Sequence, residues 1–376
     1  MDTDLPLSAR IPPAHRINWQ HMADVYQPES VSELVDAVRS ASRLIAIGAG
    51  TKPRMSHLSQ DYKRVSMARL HGIIEYEPSE FTFTALAGTP LVEIVAALAE
   101  RGQYLPFDPL LAQAGATLGG TLAAGISGPG RFRFGGLRDF ILGMQFVDGE
   151  GRLLRMGGKV VKNAAGFDLP KFFVGSLGRF GVLAEMTFKV FPKAVATKTL
   201  RLAVTDPAAK AAVLNEAGNT RWEIDALECP LDEAAVYIRL AGPAAALDGL
   251  TSEILGRWSG TPLSAESAVD LWQGVSEFSW AHAGGTLIKV VLTPMEVTKF
   301  ITDVRGFPDA RGWVGSGGNV GYVSVPAGTQ LAELRWPAVT LRGEAALWPG
   351  VKQRFELMQS VKNALDPHHR FPGMDE

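Results

Sequence analysis

Residues 116–139 read ATLGGTLAAGISGPGRFRFGGLRD. Eight glycines fall between Gly115 and Gly136, and Arg131, Arg133 and Arg138 close the stretch. Glycine lets backbone pass close to a ligand and adopt positive φ. Bare amide N–H groups in such a loop form a concavity for anions. Arginines beside it add bidentate donors for phosphate or carboxylate. In a plain surface loop, eight glycines would carry a large entropic cost without return. The stretch predicts a loop wrapped around a long, negatively charged cofactor.

Two more glycine turns flank it. Gly48-Ala-Gly-Thr-Lys52 follows the apolar run Leu44-Ile-Ala-Ile47. Taken alone it reads equally well as a structural turn. It is neither a dinucleotide GxGxxG, because Pro53 stands where the last glycine belongs, nor a P-loop. Further on, Lys162-Asn-Ala-Ala-Gly-Phe-Asp168 precedes Gly175-Ser-Leu-Gly-Arg-Phe-Gly-Val182. Here Val182 opens a strand able to press on an adenine or flavin ring. The alternative is a helix with Asp168 as N-cap and Gly175 near its end.

The surrounding pattern predicts an α+β domain of about 190 residues rather than a regular Rossmann repeat. Ser30 and Glu33 form a capping box ahead of the apolar face Val31, Leu34, Val35 and Val38. A strand over Phe81–Ala87 leads to Thr89-Pro90, a cap with proline at the first helical position. Leu91, Ile94, Val95 and Leu98 supply that helix's buried stripe, and Gly102 ends it. Met144–Val147 and Arg152–Met156 flank the turn Asp148-Gly149 as a hairpin, and a strand runs over Val182–Phe191.

Texture changes near residue 195. Six of the eight tryptophans, Trp222, Trp258, Trp272, Trp280, Trp313 and Trp336, fall in 196–345. So do strands over Ala235–Leu240 and Leu287–Leu292 and helices over Pro207–Ala217 and Ala244–Trp258. The expected organisation is a first domain over 1–195, a smaller α/β cap over 196–345, and a tail over 346–376. The tail stripe Val351, Phe355, Met358, Val361 and Leu365 predicts a helix packed back on the first domain.

The 376 residues carry a net charge of −2, no electrostatic footprint for nucleic acid. Cys229 is the only cysteine, so neither an intrachain disulfide nor a cysteine-ligated metal or iron–sulfur cluster can form within the chain. The acidic start lacks a secretory pattern, and no run of about 18 apolar residues occurs. A cytoplasmic location is expected, with attachment to the inner membrane possible through partners.

Taken together and in this order, the three turns resemble the vanillyl-alcohol-oxidase-type FAD-binding family with its PCMH-type domain. The resemblance spans Tyr26 to Pro192 and returns at Lys362-Asn-Ala-Leu-Asp-Pro-His-His-Arg-Phe-Pro-Gly373, which looks like that family's C-terminal signature. Within the family, AGTKP, GISGPGRFRFGGLRD and KVVKNAAGFDLPKFFVGSLGRFGVL look most like FAD-binding subunits of bacterial glycolate oxidases. The resemblance implies a PCMH-type FAD-binding domain of two α+β subdomains. It assigns Gly48, Ala49, Gly50 and Thr51 to the FAD pyrophosphate, and Thr117, Gly119 and Gly120 to the pyrophosphate and ribityl path. Gly125, Ser127 and Gly128 would continue toward the isoalloxazine, with Gly178, Gly181 and Val182 at the adenine or ribose end. The family often has arginine where Ile47 stands and glycine where Ala49 stands. Covalent members attach FAD through a histidine in the first loop. None lies in Gly48–Arg54, and His57 is further on, so FAD is expected to be non-covalent.

Catalytic groups are less legible. Hydroxyacid-oxidising relatives carry a His-and-acid metal cluster around G-D-G-N-x-H. The nearest phrase here, Gly315-Ser-Gly-Gly-Asn-Val-Gly-Tyr322, has neither the aspartate nor the histidine, so no metal is expected. His282 and His368-His369 read as packed or surface residues. Arg131, Arg133, Arg138, Arg239, Lys289 and Arg342 are candidates for a carboxylate site. The resemblance implies an FAD subunit oxidising glycolate or a similar D-2-hydroxyacid, beside a second flavoprotein subunit and an iron–sulfur subunit. A self-sufficient oxidoreductase for another small hydroxyacid or alcohol, and a flavin-free scaffold, remain as alternatives.

Overall fold

In a computed structural model, residues 25–56, 61–158, 168–331, 333–352 and 355–374 are described. They form two compact units. One comprises 25–127, 136–192 and 352–374; the other comprises 128–135 and 193–351.

Among its described residues the first unit holds three sheets, one of them the short antiparallel pair Gln103–Tyr104 and Phe191–Pro192. Three short parallel strands run in the order Val25–Tyr26, Lys63–Ser66, Leu44–Ile47. An antiparallel sheet runs Ile73–Glu77, Thr82–Leu86, Val182–Lys189, Ile141–Val147, Leu153–Gly157. Aromatic rings fill its interior, including the stacked pair Phe83–Phe188 at 6.0 Å and Phe146–Phe173 at 4.4 Å.

Local rules hold in outline and shift in detail. Ser30 caps the helix Val31–Ser40 by accepting the Glu33 N–H. The Glu33 carboxylate accepts from Glu29 N–H instead of closing the expected box on Ser30. Thr89 is not the N-cap of its helix. Its hydroxyl bonds the carbonyls of Leu86 and Gly72, and Pro90 precedes the helix Leu91–Ala99 as its N-cap residue. The stripe of that helix narrows to Leu91, Ile94 and Leu98, with Val95 exposed. The glycine-rich stretch is not one loop. It contains the helices Leu118–Ala124, Arg131–Phe134 and Leu137–Phe140.

The tail helix Phe355–Leu365 is anchored by charge rather than by its apolar stripe. Met358, Val361 and Leu365 are only half-buried, whereas Lys362 and Asp366 are 1 % and 0 % exposed. Their ion pair lies one helical turn apart, and Lys362 Nζ also donates to the Phe371 carbonyl at 3.1 Å. Asp366 accepts the N–H groups of Arg370 and Phe371, each at 2.9 Å. This satisfied cluster meets the hairpin turn at Gly149, whose N–H donates to Leu365 O at 2.9 Å. A side chain at Gly149 would occupy the space of Asp366.

The second unit is built on eight antiparallel strands. Their order is Gly260–Pro262, Ala196–Ala203, Ala235–Gly242, Ala226–Pro230, Arg311–Gly315, Val320–Val325, Thr286–Val291, Ala338–Arg342. Helices Pro207–Gly218, Ala244–Arg257 and Val297–Arg305 cover one face. There Leu214, Leu247, Phe300 and Val304 meet Leu200, Ile238, Ile288 and Val323. Alternation sends the intervening residues, among them Glu228, Lys289, Trp313 and Tyr322, to the opposite face.

Candidate functional site

The first unit contains a solvent-open cleft lined mainly by glycines and apolar side chains. Three turns build it. The strand Leu44–Ile47 buries Leu44, Ile45 and Ile47 and delivers the chain to Gly48, and Gly50 turns at φ +70°. Thr117 then caps the helix Leu118–Ala124 by accepting the Gly120 N–H at 3.2 Å. These two turns meet through missing side chains: a Cβ on Gly48 would stand 2.5 Å from Thr117 Oγ1. On Gly119 it would stand 2.8 Å from Ala87 Cβ, where Gly119 N–H donates to Ala87 O.

The third turn is tied to the same helix. Gly175 and Leu177 N–H groups donate to Leu122 and Ala123 carbonyls at 3.0 and 2.9 Å. Buried Arg179 fixes its outer side, donating to Leu177 O at 3.1 Å and Gly373 O at 2.9 Å. Gly178 has φ +73° and only open space where a Cβ would point.

Gly48, Ala49, Gly50, Thr51, Thr117, Gly119, Gly120, Gly178 and Gly181 all line this one cleft. The other predicted positions do not. Gly125 ends the helix Leu118–Ala124 at φ +62°, against Gly175. Ser127 Oγ accepts the Leu137 N–H at 3.2 Å. Gly128 groups with the second unit, and Val182 is buried in its strand opposite Val147. Residues 159–167 and His57 lie outside the described residues.

Sequence reasoning missed the apolar wall of Met55, Met67, Leu177 and Leu183, and it missed Lys52. Nothing in the spacing of glycines marks a methionine or leucine as facing a cleft. Among the described lining residues Lys52 alone is charged, and none is histidine, cysteine or tyrosine. Apolar walls, a glycine-lined floor able to admit a ligand, and one cation suit a cofactor with flat rings and a charged linker.

The second unit gathers a different set of groups. On the sheet face opposite those helices Lys289 and Tyr322 are direct cross-strand partners, as are Tyr322 and Trp313. Buried Glu228 accepts the Trp313 indole N–H at 2.6 Å and the Ser316 N–H at 2.9 Å. Burial, and after it the Arg131 guanidinium, lower the Lys289 ammonium to about 8. Burial, then Glu228, hold the Tyr322 hydroxyl well above its ordinary range.

The remaining candidates are engaged elsewhere. Arg133 pairs with Glu223 at 2.7 Å, Arg239 pairs with Asp225, and Arg342 donates to His282 O at 2.8 Å. Arg138 is exposed. His282 Nε2 meets the Asp309 carbonyl at 2.7 Å. His368 and His369 are exposed. Among the described residues, no group of three or more His, Cys, Asp or Glu is placed to hold a metal ion. No described helix is long and apolar enough to cross a membrane.

Residues 23–157 match a family model described as an FAD binding domain. The chain carries an FAD-binding domain. Glycolate oxidase subunit GlcE of Escherichia coli is 39 % identical over 227 residues, covering 59 % of this chain and 61 % of that protein. Glycolate oxidase subunit GlcD of Bacillus subtilis is 32 % identical over 131 residues, covering 35 % of this chain and 28 % of that protein. The chain therefore matches about three fifths of the first relative's length and under a third of the second's. A solved alkyldihydroxyacetonephosphate synthase superposes with a TM-score of 0.64 at 16 % identity, covering 92 % of this chain and 74 % of that one. That likeness concerns the fold. The cleft's turns at 48–51 and 117–120 fall within the matched segment 23–157, and the turn at 178–181 lies beyond it.

Proposed function

We propose that this chain is the FAD-binding flavoprotein subunit of a complex that oxidises glycolate or a similar small D-2-hydroxyacid to the 2-oxoacid. One observation carries the reading: three glycine turns, far apart in sequence, line a single cleft around the segment that matches the FAD-binding domain. Identity to GlcE supports the choice of substrate class.

Within the reading, Gly48–Thr51 and Thr117–Gly120 hold the pyrophosphate through backbone N–H groups, and Gly178 and Gly181 border the nucleoside end. When bound, FAD supplies the two-electron acceptor for the hydroxyacid's C–H bond. Met55, Met67, Leu177 and Leu183 exclude water from its apolar parts. With no histidine, cysteine or tyrosine among the described lining residues, FAD is held non-covalently. Arg131 and Lys289 serve as the carboxylate clamp, two cations close enough for the Arg131 charge to lower the Lys289 ammonium. A cysteine-ligated cluster cannot form in a chain with one cysteine. Electrons therefore pass to a second flavoprotein subunit and an iron–sulfur subunit, with the assembly cytoplasmic and peripheral to the inner membrane.

Acid precipitation of the purified chain should release free FAD into the supernatant. Anaerobic mixing with glycolate should bleach the flavin slowly in the isolated chain and rapidly once partner subunits are added. Rapid bleaching of the isolated chain would instead establish a self-sufficient oxidoreductase. Absence of flavin after reconstitution would leave only a scaffold.

A further inference from the structure

We propose that the C-terminal segment Asp366–Gly373 is a strap that sets the cleft without lining it, with Arg179 and Arg370 as positioning residues. The proposal rests on the FAD reading above and extends it: cofactor occupancy and the order of the strap depend on each other. Among the described residues, none of 355–374 lines the cleft. Two of the three turns are nevertheless tied to that segment. At the first, Arg370 O accepts the Leu44 N–H at 2.7 Å, and Leu44 opens the strand that delivers the chain to Gly48. The Arg370 guanidinium donates to the carbonyls of Val38 and Arg39, each at 3.2 Å, and to that of Ala41, where the helix Val31–Ser40 ends. At the third, Gly373 O accepts from Arg179 Nε at 2.9 Å, and the same guanidinium donates to Leu177 O at 3.1 Å.

The third turn needs such a brace. Leu177 lines the cleft at φ +51°, a left-handed conformation that strains a leucine and persists only where its surroundings over-determine it. Its N–H is held by Ala123 O at 2.9 Å and its carbonyl by Arg179, a residue only 1 % exposed. The strap is firm at its own base. Asp366 accepts the Arg370 and Phe371 N–H groups, Lys362 donates to Phe371 O, and the Phe371 ring is buried. Only Phe371 and Pro372 separate the tie at Arg370 from the tie at Gly373. The first and third turns therefore cannot shift apart unless a tie breaks or the strap loses its order. A ligand that fixes both turns favours the ordered strap, and by reciprocity the ordered strap favours the ligand.

Amide hydrogen exchange of the full-length chain, as apoprotein and saturated with FAD, reads this link directly. The edge strand Ile73–Glu77, which does not line the cleft, serves as reference. FAD should slow exchange across 366–373 about 10-fold more than across that strand. Arg179→Met should weaken FAD about 10- to 100-fold, the worth of charge-assisted contacts, as read by flavin fluorescence. It should also abolish the FAD-dependent protection of 366–373 while protection at 117–120 remains. Arg179→Lys keeps the charge and should recover part of the affinity; a loss as large as that of Arg179→Met would overturn the role of the charge. FAD that protects 48–51 and 117–120 but leaves 366–373 exchanging as in the apoprotein would overturn the proposal and leave the FAD reading intact. So would wild-type FAD affinity in Arg179→Met. Should that variant fail to fold, the wild-type comparison decides by itself. Failure of the wild type to bind FAD would instead remove the reading on which the proposal rests.

Discussion

The glycine-lined cleft of the first unit and the sheet face of the second that carries Lys289 are assembled in opposite ways. The cleft is built from backbone. Its turns come together because Gly48 and Gly119 have no side chains to hold them apart from Thr117 and Ala87. The sheet face is built from side chains, with Lys289, Tyr322 and Trp313 aligned by strand register and Glu228 accepting two N–H donors. A backbone site tolerates changes of side-chain chemistry and is broken by added volume. A side-chain site tolerates modest changes of volume and is broken by altered chemistry.

Gly119→Val attacks the comparison where the effect is largest. The new atoms meet Ala87, so the variant should lose its FAD and about 3 kcal/mol of stability. Flavin content and denaturant midpoints measure both. A variant with normal flavin would show that these turns can separate without harm.

Glu228→Ala tests the other region at intermediate size. It leaves the Trp313 indole N–H and the Ser316 N–H without their acceptor, at a cost of about 2 kcal/mol. FAD content should be unchanged. Loss of flavin in this variant would blur the distinction between the two sites.

The smallest effect is a pH slope. Lys289 titrates near 8 in the folded chain against an ordinary value of 10.5, so burial disfavours its charged form. The cost is present in full below about pH 8. Between there and 10.5 the unfolded chain binds more protons, and stability from this group rises with pH. Lys289→Met should therefore be the more stable protein at pH 7 by about 1 kcal/mol or less after solvent screening, with the gap closing toward pH 10. Parallel stability curves for the two proteins would show that Lys289 is solvated like a surface lysine.

The two regions also differ in how much of them could be read in advance. Nine of the positions that the family resemblance assigned line the cleft, and six of them are glycines, because a turn that must pass close to a neighbour leaves its mark in composition. Gly125, Ser127 and Val182 stand outside that lining and serve a helix end, a hydrogen bond and a strand. The tail shows the converse case. A stripe of apolar residues predicted its docking face, yet Lys362 and Asp366 are both buried, and their pairing and the Phe371 carbonyl make that burial tolerable.

By itself the sequence determined the α+β character, the glycine turns and the absence of a cysteine-ligated cluster, each a consequence of local backbone preference or of residue inventory. Only the tertiary structure decided that Lys52 faces into the cleft, that Arg179 braces the third turn, and that Lys289 stands beside Tyr322. Those outcomes depend on strand register and on contacts between residues far apart in the chain. Shifting a strand's pairing by one residue sends every side chain to the opposite face, and no local pattern records which register forms.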